Sequence, residues 1–312
     1  MTEAEWLACE DPIPLLVFLQ WVPVEAVDQS VLDGSGQLER GGGAQREAPG
    51  LPGSQPPVPE AIERDRKARL FACACCRRIW NVFGDDIWTR KHAPSGSSPM
   101  DSRGNPGPTG QLEDLFDDGI SRRALETAER YCDGRVPAEE MRQMGVAAWE
   151  LARAAYEYFG NADYRLGDHY CGSEHEESEQ SYLTARCASL ACVPRVRVAV
   201  GELARASREV IESGGCGIPN KPPTEGRVQA AVLRDICGNP FRTVLFSSLW
   251  RTETAVALAA QMYEARDFGA MPILADALQD AGCDSADVLD HCRGPGPHVR
   301  GCWVVDRVLG RE

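Results

Sequence analysis

The chain has 312 residues, 43% of them hydrophobic, so it can bury a sizeable core as one large domain or two smaller ones. Its 33 basic and 47 acidic residues give a formal charge of −14. This charge repels phosphate backbones and anionic membrane surfaces, so we expect neither a nucleic-acid partner nor a membrane association.

The N-terminal segment, MTEAEWLACEDPIPLLVFLQ, does not read as an export signal. It is acidic where a secretory signal needs an early positive charge, and its apolar run over 15–19 is too short to cross a bilayer. Thirteen cysteines in such a chain suit the reducing cytoplasm, where thiols stay free and pack as small hydrophobic side chains. We therefore expect a cytoplasmic protein without disulfides.

Two segments rich in Gly and Pro, at about 28–60 and 92–113, are predicted to be disordered insertions. They contain few branched apolar residues, so they cannot bury enough surface to offset the entropy lost on ordering. Stretches of the same character at 167–179 and 213–224 are predicted to be loops.

The remaining segments repeat apolar residues at alternating spacings of three and four, which predicts helices. Thr252 is expected to cap one helix, and Pro194 to break or kink another. No period-two pattern indicates a strand. The predicted fold is all-α, an irregular multi-helix bundle forming a single domain over 1–312. The predicted helices span about 62–83, 119–132, 137–160, 181–212, 226–237, 253–266, 272–281, 285–292 and 299–309.

The segment RLFACACCRRIW contains three closely spaced cysteines. On a helical wheel, Cys75 and Cys76 fall on the apolar face, whereas Cys73 lies at its boundary, with Arg69 and Arg77 one turn away on either side. Nearby guanidinium groups stabilise a thiolate, so Cys73 is the candidate reactive thiol. The alternative, which the high burial of free cysteine favours, is that all three thiols only pack.

The C-terminal segment GCDSADVLDHCRGPGPHVRGCW contains the candidate metal ligands Cys283, His291, Cys292, His298 and Cys302. These residue types suit zinc, and the Gly/Pro turn could bring His291, His298 and Cys302 together. The spacing matches no standard zinc signature, so the favoured interpretation is that these side chains are satisfied locally.

Sequence signals for catalysis are absent. The chain has no P-loop, no Gly-rich dinucleotide turn, no Gly-x-Ser-x-Gly elbow and no His-Glu-x-x-His motif. His298 and Cys302 would share a helix face, but no orienting group or oxyanion hole is recognisable beside them. We therefore do not predict an enzyme, and no cofactor is expected apart from the possible zinc ion.

Arg300 and Trp303 follow the two Gly-Pro turns and are the candidate residues for an interaction surface, since Arg and Trp are common at interface centres. The alternative is that the turns only connect two helices while Trp303 closes the core beside two valines. We favour this second interpretation.

Several long strings, among them MTEAEWLAC, RKARLFACACCRRIW, LRDICGNPFR and MPILADALQDAGCDSADVLDHCRGPGPHVRGCWVVDRVLG, resemble a family of planctomycete bacterial proteins with no established activity. The resemblance covers about half of the chain and implies no functional residue. It does imply that 28–60 and 92–113 are additions to the shared fold, and that the two ends of the chain pack together.

These observations lead to three hypotheses. The first is a non-catalytic interaction or regulatory module with a protein partner, because helical folds without catalytic motifs more often bind than react. The second is a thiol- or zinc-dependent sensor that uses Cys73 or the Cys283–Cys302 region. The third and weakest is an enzyme of unknown type.

Overall fold

The computed structural model describes residues 1–22, 59–83, 119–166, 173–213 and 225–311. These ranges contain α-helices and no β-strand, which confirms the predicted all-α fold. The twelve helices are α1 (Glu3–Ala8), α2 (Pro12–Phe18), α3 (Pro59–Phe83), α4 (Ile120–Cys132), α5 (Ala138–Leu166), α6 (Ser173–Ala191), α7 (Val200–Ser213), α8 (Glu225–Cys237), α9 (Glu253–Ala265), α10 (Met271–Asp280), α11 (Ala286–Arg293) and α12 (Trp303–Leu309).

Most helix ends match the sequence pattern, and most exceptions lie beside the predicted loops. The helix predicted over 299–309 begins only at Trp303, because Gly301 has a φ of +97°, so His298 and Cys302 do not share a helix face. Helix α5 continues through Gly160, since one interior glycine costs a helix only about 1 kcal/mol. Helix α6 begins at Ser173, inside the stretch 167–179 that the sequence indicated as a loop. The predicted insertions at 28–60 and 92–113 fall outside the described residues, except that α3 begins at Pro59.

A first apolar cluster is built around α3, which packs against α4, α6, α7 and α8. Helix α3 is therefore covered on more than one side. All three of its closely spaced cysteines are buried, at 1–2% exposure, so Cys73 does not lie at a solvent boundary as the helical wheel indicated.

The break predicted at Pro194 is present, and a buried guanidinium stabilises it. Helix α6 ends at Ala191, leaving carbonyl groups without helical partners. Arg69, only 1% exposed, donates hydrogen bonds to the carbonyls of Ala191 (2.6 Å), Val193 (2.9 Å) and Pro194 (3.1 Å). Arg69, which the sequence analysis placed beside the candidate reactive thiol Cys73, thus caps the C-terminal end of α6.

A second apolar cluster consists of α9 to α12 together with Trp250. Thr252 caps α9 as predicted, because its hydroxyl accepts a hydrogen bond from the Ala255 amide at 3.2 Å. The sequence predicted one domain, and that division of the chain stays a prediction.

The two apolar clusters meet through buried ion pairs. Glu129, at the end of α4, faces Arg77 of α3 at 2.5 Å and is also paired with Arg266, which follows α9. Arg300 lies 2.5 Å from Asp133 and 3.4 Å from Glu129. These carboxylate side chains are 2% exposed, so each charge depends on partners from the opposite cluster.

A tyrosine completes this network. The Tyr263 hydroxyl donates to Asp133 at 2.7 Å and accepts a hydrogen bond from Arg66 at 3.1 Å. Burial raises the pKa of Tyr263 to about 12, so the phenol keeps its proton and remains a donor. Arg66 also pairs with Asp306 of α12 at 2.6 Å, which ties α3 directly to the last helix.

Among the described helices, none combines the length and the apolarity that crossing a bilayer requires.

Replacing Glu129 with Gln should lower the free energy of unfolding by about 3 kcal/mol, because three guanidinium groups would lose their shared buried counter-charge. Urea denaturation of the full chain measures this change. The exposed Glu139, paired with Arg142 on α5, provides the matched control, and E139Q should unfold like the wild type. Equal stability of the two variants would contradict the role given to Glu129.

Candidate metal centre

Four side chains converge where α8 meets the C-terminal helices: Asp235, His291, His298 and Cys302. One potential ligand atom from each lies within 4.8 Å of all the others. Asp235 is in the last turn of α8, His291 is in the last turn of α11, His298 is in the connecting loop, and Cys302 directly precedes α12. The four residues thus come from three helix ends and one loop.

The carboxylate of Asp235 is the centre of the group. Its Oδ1 lies 2.8 Å from His298 Nδ1 and 3.1 Å from His291 Nε2. The Cys302 Sγ lies 3.2 Å from the same His291 Nε2. Tetrahedral bonds of about 2.0–2.3 Å to zinc would separate the ligand atoms by roughly 3.3–3.8 Å, so these three close contacts would have to widen slightly to admit the ion.

The loop that carries His298 is fixed from two sides. The Val299 amide donates a hydrogen bond to Asp235 Oδ2 at 2.9 Å. This contact fixes the orientation of the carboxylate and therefore the position of its Oδ1. The next residue, Arg300, enters the ionic network around Asp133. These contacts place His298 over the end of α8.

Gly301 brings Cys302 into position. Its φ of +97° is disfavoured for residues with a side chain, and a Cβ there would lie 2.8 Å from Leu70 Cδ1 of α3. The chain can approach α3 this closely only with glycine at this point. Helix α12 then begins at Trp303, directly after the thiol.

The group is almost sealed from solvent. Cys302 is fully buried, the Asp235 side chain is 2% exposed and the His298 side chain is 9% exposed, while His291 is the most accessible at 19%. The Nε2 of His298 is buried without a hydrogen-bond partner among the described residues. The nitrogen of His298 that faces Asp235 is Nδ1, so the unsatisfied Nε2 lies on the other side of this contact.

Burial and local charge act in opposite directions on the two acidic groups. Burial raises the pKa of Asp235, but hydrogen bonds from His291 and His298 outweigh it and leave the pKa below its usual value. Burial, reinforced by the Asp235 charge, raises the pKa of Cys302 well above its usual value, although the backbone amides of Val304 and Val305 oppose this. The protein alone thus favours a carboxylate beside a neutral thiol. A divalent cation would stabilise both groups as anions.

The arrangement suits a cation better than a nucleophile. A catalytic Cys-His-Asp relay uses the two opposite nitrogens of one imidazole, whereas here Asp235 and Cys302 both approach the same nitrogen of His291. One nitrogen cannot accept a proton from the thiol and donate one to the carboxylate at the same time. A fully buried Cys302 also offers no access to a substrate.

The sequence placed five candidate ligands in this region, and the structure brings three of them together: His291, His298 and Cys302. Cys283 and Cys292 lie outside the group and are buried in the second apolar cluster. Burial raises the pKa of Cys292 to about 12, as expected for a packing thiol.

Sequence reasoning missed Asp235. It belongs to the string LRDICGNPFR, which carries part of the planctomycete resemblance, and it lies far from the histidines along the chain. The available signal was an acidic residue inside the apolar pattern of a helix, followed by a glycine stop. Such a carboxylate is expected to be buried and therefore to need a partner.

Of the other candidate residues, Cys73 and Arg300 are buried and Trp303 is half-buried. Burial raises the pKa of Cys73 well above its usual value, and the Glu129 charge adds to this, with only a smaller opposing effect from Arg69. These surroundings oppose a thiolate. Arg300 is 7% exposed and paired with buried carboxylates, and the half-buried Trp303 packs against Gly238 and His291.

Comparisons with protein-family models, with curated proteins and with solved structures find no match to this chain. The resemblance to planctomycete proteins therefore stays a prediction.

Replacing Gly301 with Ala should destabilise the fold, because the new Cβ would meet Leu70 and the positive φ would be strained by about 1–3 kcal/mol. Thermal unfolding of the full chain measures the loss. Gly282, with φ +88° and nothing within 4 Å of the place that a Cβ would take, is the matched control for the backbone strain alone. G301A should melt at a lower temperature than G282A, and the opposite order would contradict the close approach to α3.

Proposed function

We propose that this protein is a metal-dependent binding or regulatory module that holds one Zn²⁺ through Asp235, His291, His298 and Cys302. The convergence of four potential ligand atoms within 4.8 Å in a nearly sealed site supports the proposal. The site is the zinc alternative of the sequence hypotheses, with Asp235 replacing Cys283 and Cys292.

The ligand set favours zinc over harder cations. One thiolate, two imidazoles and one carboxylate form a mixed soft and borderline set, whereas Mg²⁺ and Ca²⁺ prefer oxygen ligands alone. Four protein ligands fill a tetrahedral shell and leave no open position for a substrate. The ion would therefore have a structural or regulatory role.

Binding would couple the ion to the packing of the chain. The ligands come from α8, α11 and the 294–302 loop that leads into α12, so one ion would hold these parts together. Metal affinity gained only in the folded state adds to folding stability. This coupling gives a module whose C-terminal part responds to zinc.

The proposed partner is a protein, because helical folds without catalytic motifs more often bind than react, and the proposed location is the cytoplasm, as the cysteine content indicates. The thiol-sensor alternative at Cys73 has less support, since that thiol is 1% exposed. The enzyme hypothesis also has less support, because Cys302, the candidate nucleophile, is fully buried.

Elemental analysis of the purified full chain should find about one zinc ion per chain. After exchange with Co²⁺, we expect the absorption bands of a tetrahedral site together with a thiolate-to-cobalt charge-transfer band. C302A should lose that band, and D235N and H298Q should each lower the zinc affinity by roughly tenfold or more.

Cys292, a fully buried thiol next to His291, provides the matched control. C292A should keep the metal stoichiometry and the charge-transfer band. The proposal is refuted if the wild type contains no stoichiometric metal and gives no cobalt spectrum, or if C302A and C292A behave alike.

Removal of the metal should also change stability. A chelator should lower the melting temperature of the wild type and of C292A, because a ligand bound only by the folded state is withdrawn. C302A, already weakened in metal binding, should respond much less. A melting temperature of the wild type that is insensitive to chelation would argue against a structural ion.

A further inference from the structure

A cavity of about 560 Å³ lies beside the candidate metal centre. Trp6 and Leu7 of α1 line part of its wall, and Trp303 of α12 lines another part. The side chains of Leu7 and of Thr243, which also belongs to the wall, are exposed, so the cavity opens to solvent. A volume of this size is typical of sites that admit a small molecule.

Only one of the four candidate ligands reaches this cavity. His291 lines the wall, whereas the other three do not. The exposed fractions of the side chains agree with this difference: His291 is 19% exposed, His298 is 9% exposed, Asp235 is 2% exposed and Cys302 is fully buried. A molecule in the cavity therefore meets the candidate metal centre on its His291 side.

Packing and hydrogen bonds hold the more deeply buried ligands in place. The chain that precedes Cys302 lies against Leu70 of α3. Asp235 is held through its second oxygen by the Val299 amide, at 2.9 Å. Moving either ligand away from the ion would separate the 294–302 loop from the helices beneath it. His291 is therefore the ligand that can leave the ion with the least disturbance of the surrounding packing.

The two carboxylates in the cavity wall are both paired with arginines. Asp287 lies 3.0 Å from Arg242, and Asp306 lies 2.6 Å from Arg66. A bare Zn²⁺ ion that crossed the cavity would meet carboxylates whose charge is already compensated, so the wall would not replace the water that the ion loses. A chelating molecule brings its own ligand atoms, and it can therefore carry the ion through the cavity.

We propose that zinc reaches and leaves the centre through this cavity, carried by a small chelating molecule whose oxygen and nitrogen atoms displace His291 from the ion. This inference rests on the proposed zinc site and adds how the site is loaded and emptied. In the first step of release, a bond from zinc to the chelator forms as the bond to His291 Nε2 breaks, without oxidation or reduction. The other three bonds then exchange in turn, and the Cys302 thiolate takes up a proton from water.

Release of Co²⁺ from the metal-exchanged full chain tests this route, because the thiolate-to-cobalt charge-transfer band reports the bound ion. The two acceptors are free iminodiacetate and the same chelator coupled to a large dextran, each in excess. Release to the free chelator should become faster as its concentration rises, since the chelator takes part in the exchange step. At an equal concentration of chelating groups, the dextran form, which is too large for the cavity, should remove the ion roughly tenfold more slowly.

The variants Leu7→Trp and Thr243→Trp narrow the cavity at exposed positions of its wall. Each should slow release to free iminodiacetate by roughly tenfold and leave the metal affinity unchanged, because a narrower route slows binding and release alike. Leu249→Trp adds the same indole at an exposed position outside the wall and should release the ion like the wild type. Circular dichroism identifies a variant that fails to fold, and the other cavity variant then provides the measurement.

Slower release to the dextran form and from the cavity variants, at unchanged affinity, supports the route. A metal-loaded chain that releases the ion equally fast to both acceptors overturns the route and leaves the zinc site in place. The same holds if folded L7W and T243W both release the ion as fast as L249W. A wild-type chain that binds no stoichiometric metal overturns the zinc site itself, and this inference with it.

Discussion

Four buried carboxylates control how the two apolar clusters meet. Glu129, Asp133 and Asp235 belong to the first cluster, Asp306 belongs to the second, and each has cationic or imidazole partners across the junction. Apolar surfaces attract without direction, so they would allow many relative placements. Buried charges do not allow many placements, because a misplaced partner leaves an unpaired ion at a cost of several kcal/mol. Ion pairs between the two apolar clusters therefore determine how the clusters are placed relative to each other.

The candidate metal centre is one part of this junction. Arg300 reaches the Asp133 network, Val299 donates to Asp235, and Gly301 contacts α3, so three successive residues of one short loop fix its position. His298 and Cys302 flank these residues. The convergence of the four candidate ligands is thus a consequence of how the C-terminal helices dock on the first cluster, which explains why no compact zinc spacing appears in the sequence.

The sequence predicted what depends on local pattern. Periodicity located most helices, Thr252 and Pro194 marked real boundaries, and the Gly/Pro turn offered the grouping of His291, His298 and Cys302 as the less favoured alternative. Prediction from the sequence failed where several helices pack together. A helical wheel assumes one buried face, but α3 is packed against four helices, so the boundary position of Cys73 is also interior. The sequence could mark Asp235 only as a carboxylate in need of a partner, because the tertiary packing of α8 against the C-terminal part of the chain is what brings it near the histidines.

The partners of the buried carboxylates differ in one respect that bears on regulation. Glu129, Asp133 and Asp306 face guanidinium groups, which stay charged at any physiological pH. Asp235 faces two imidazoles and a thiol, whose charges depend on protons or on a bound cation. Three contacts of the junction are therefore permanent, and the fourth is conditional. A divalent ion at Asp235 would give the fourth contact a counter-charge of its own, and loss of the ion would remove that charge from a buried carboxylate. The C-terminal helices would then remain tied through the arginines but loosen at α8, so a change in metal occupancy would alter one side of the junction without dissolving it.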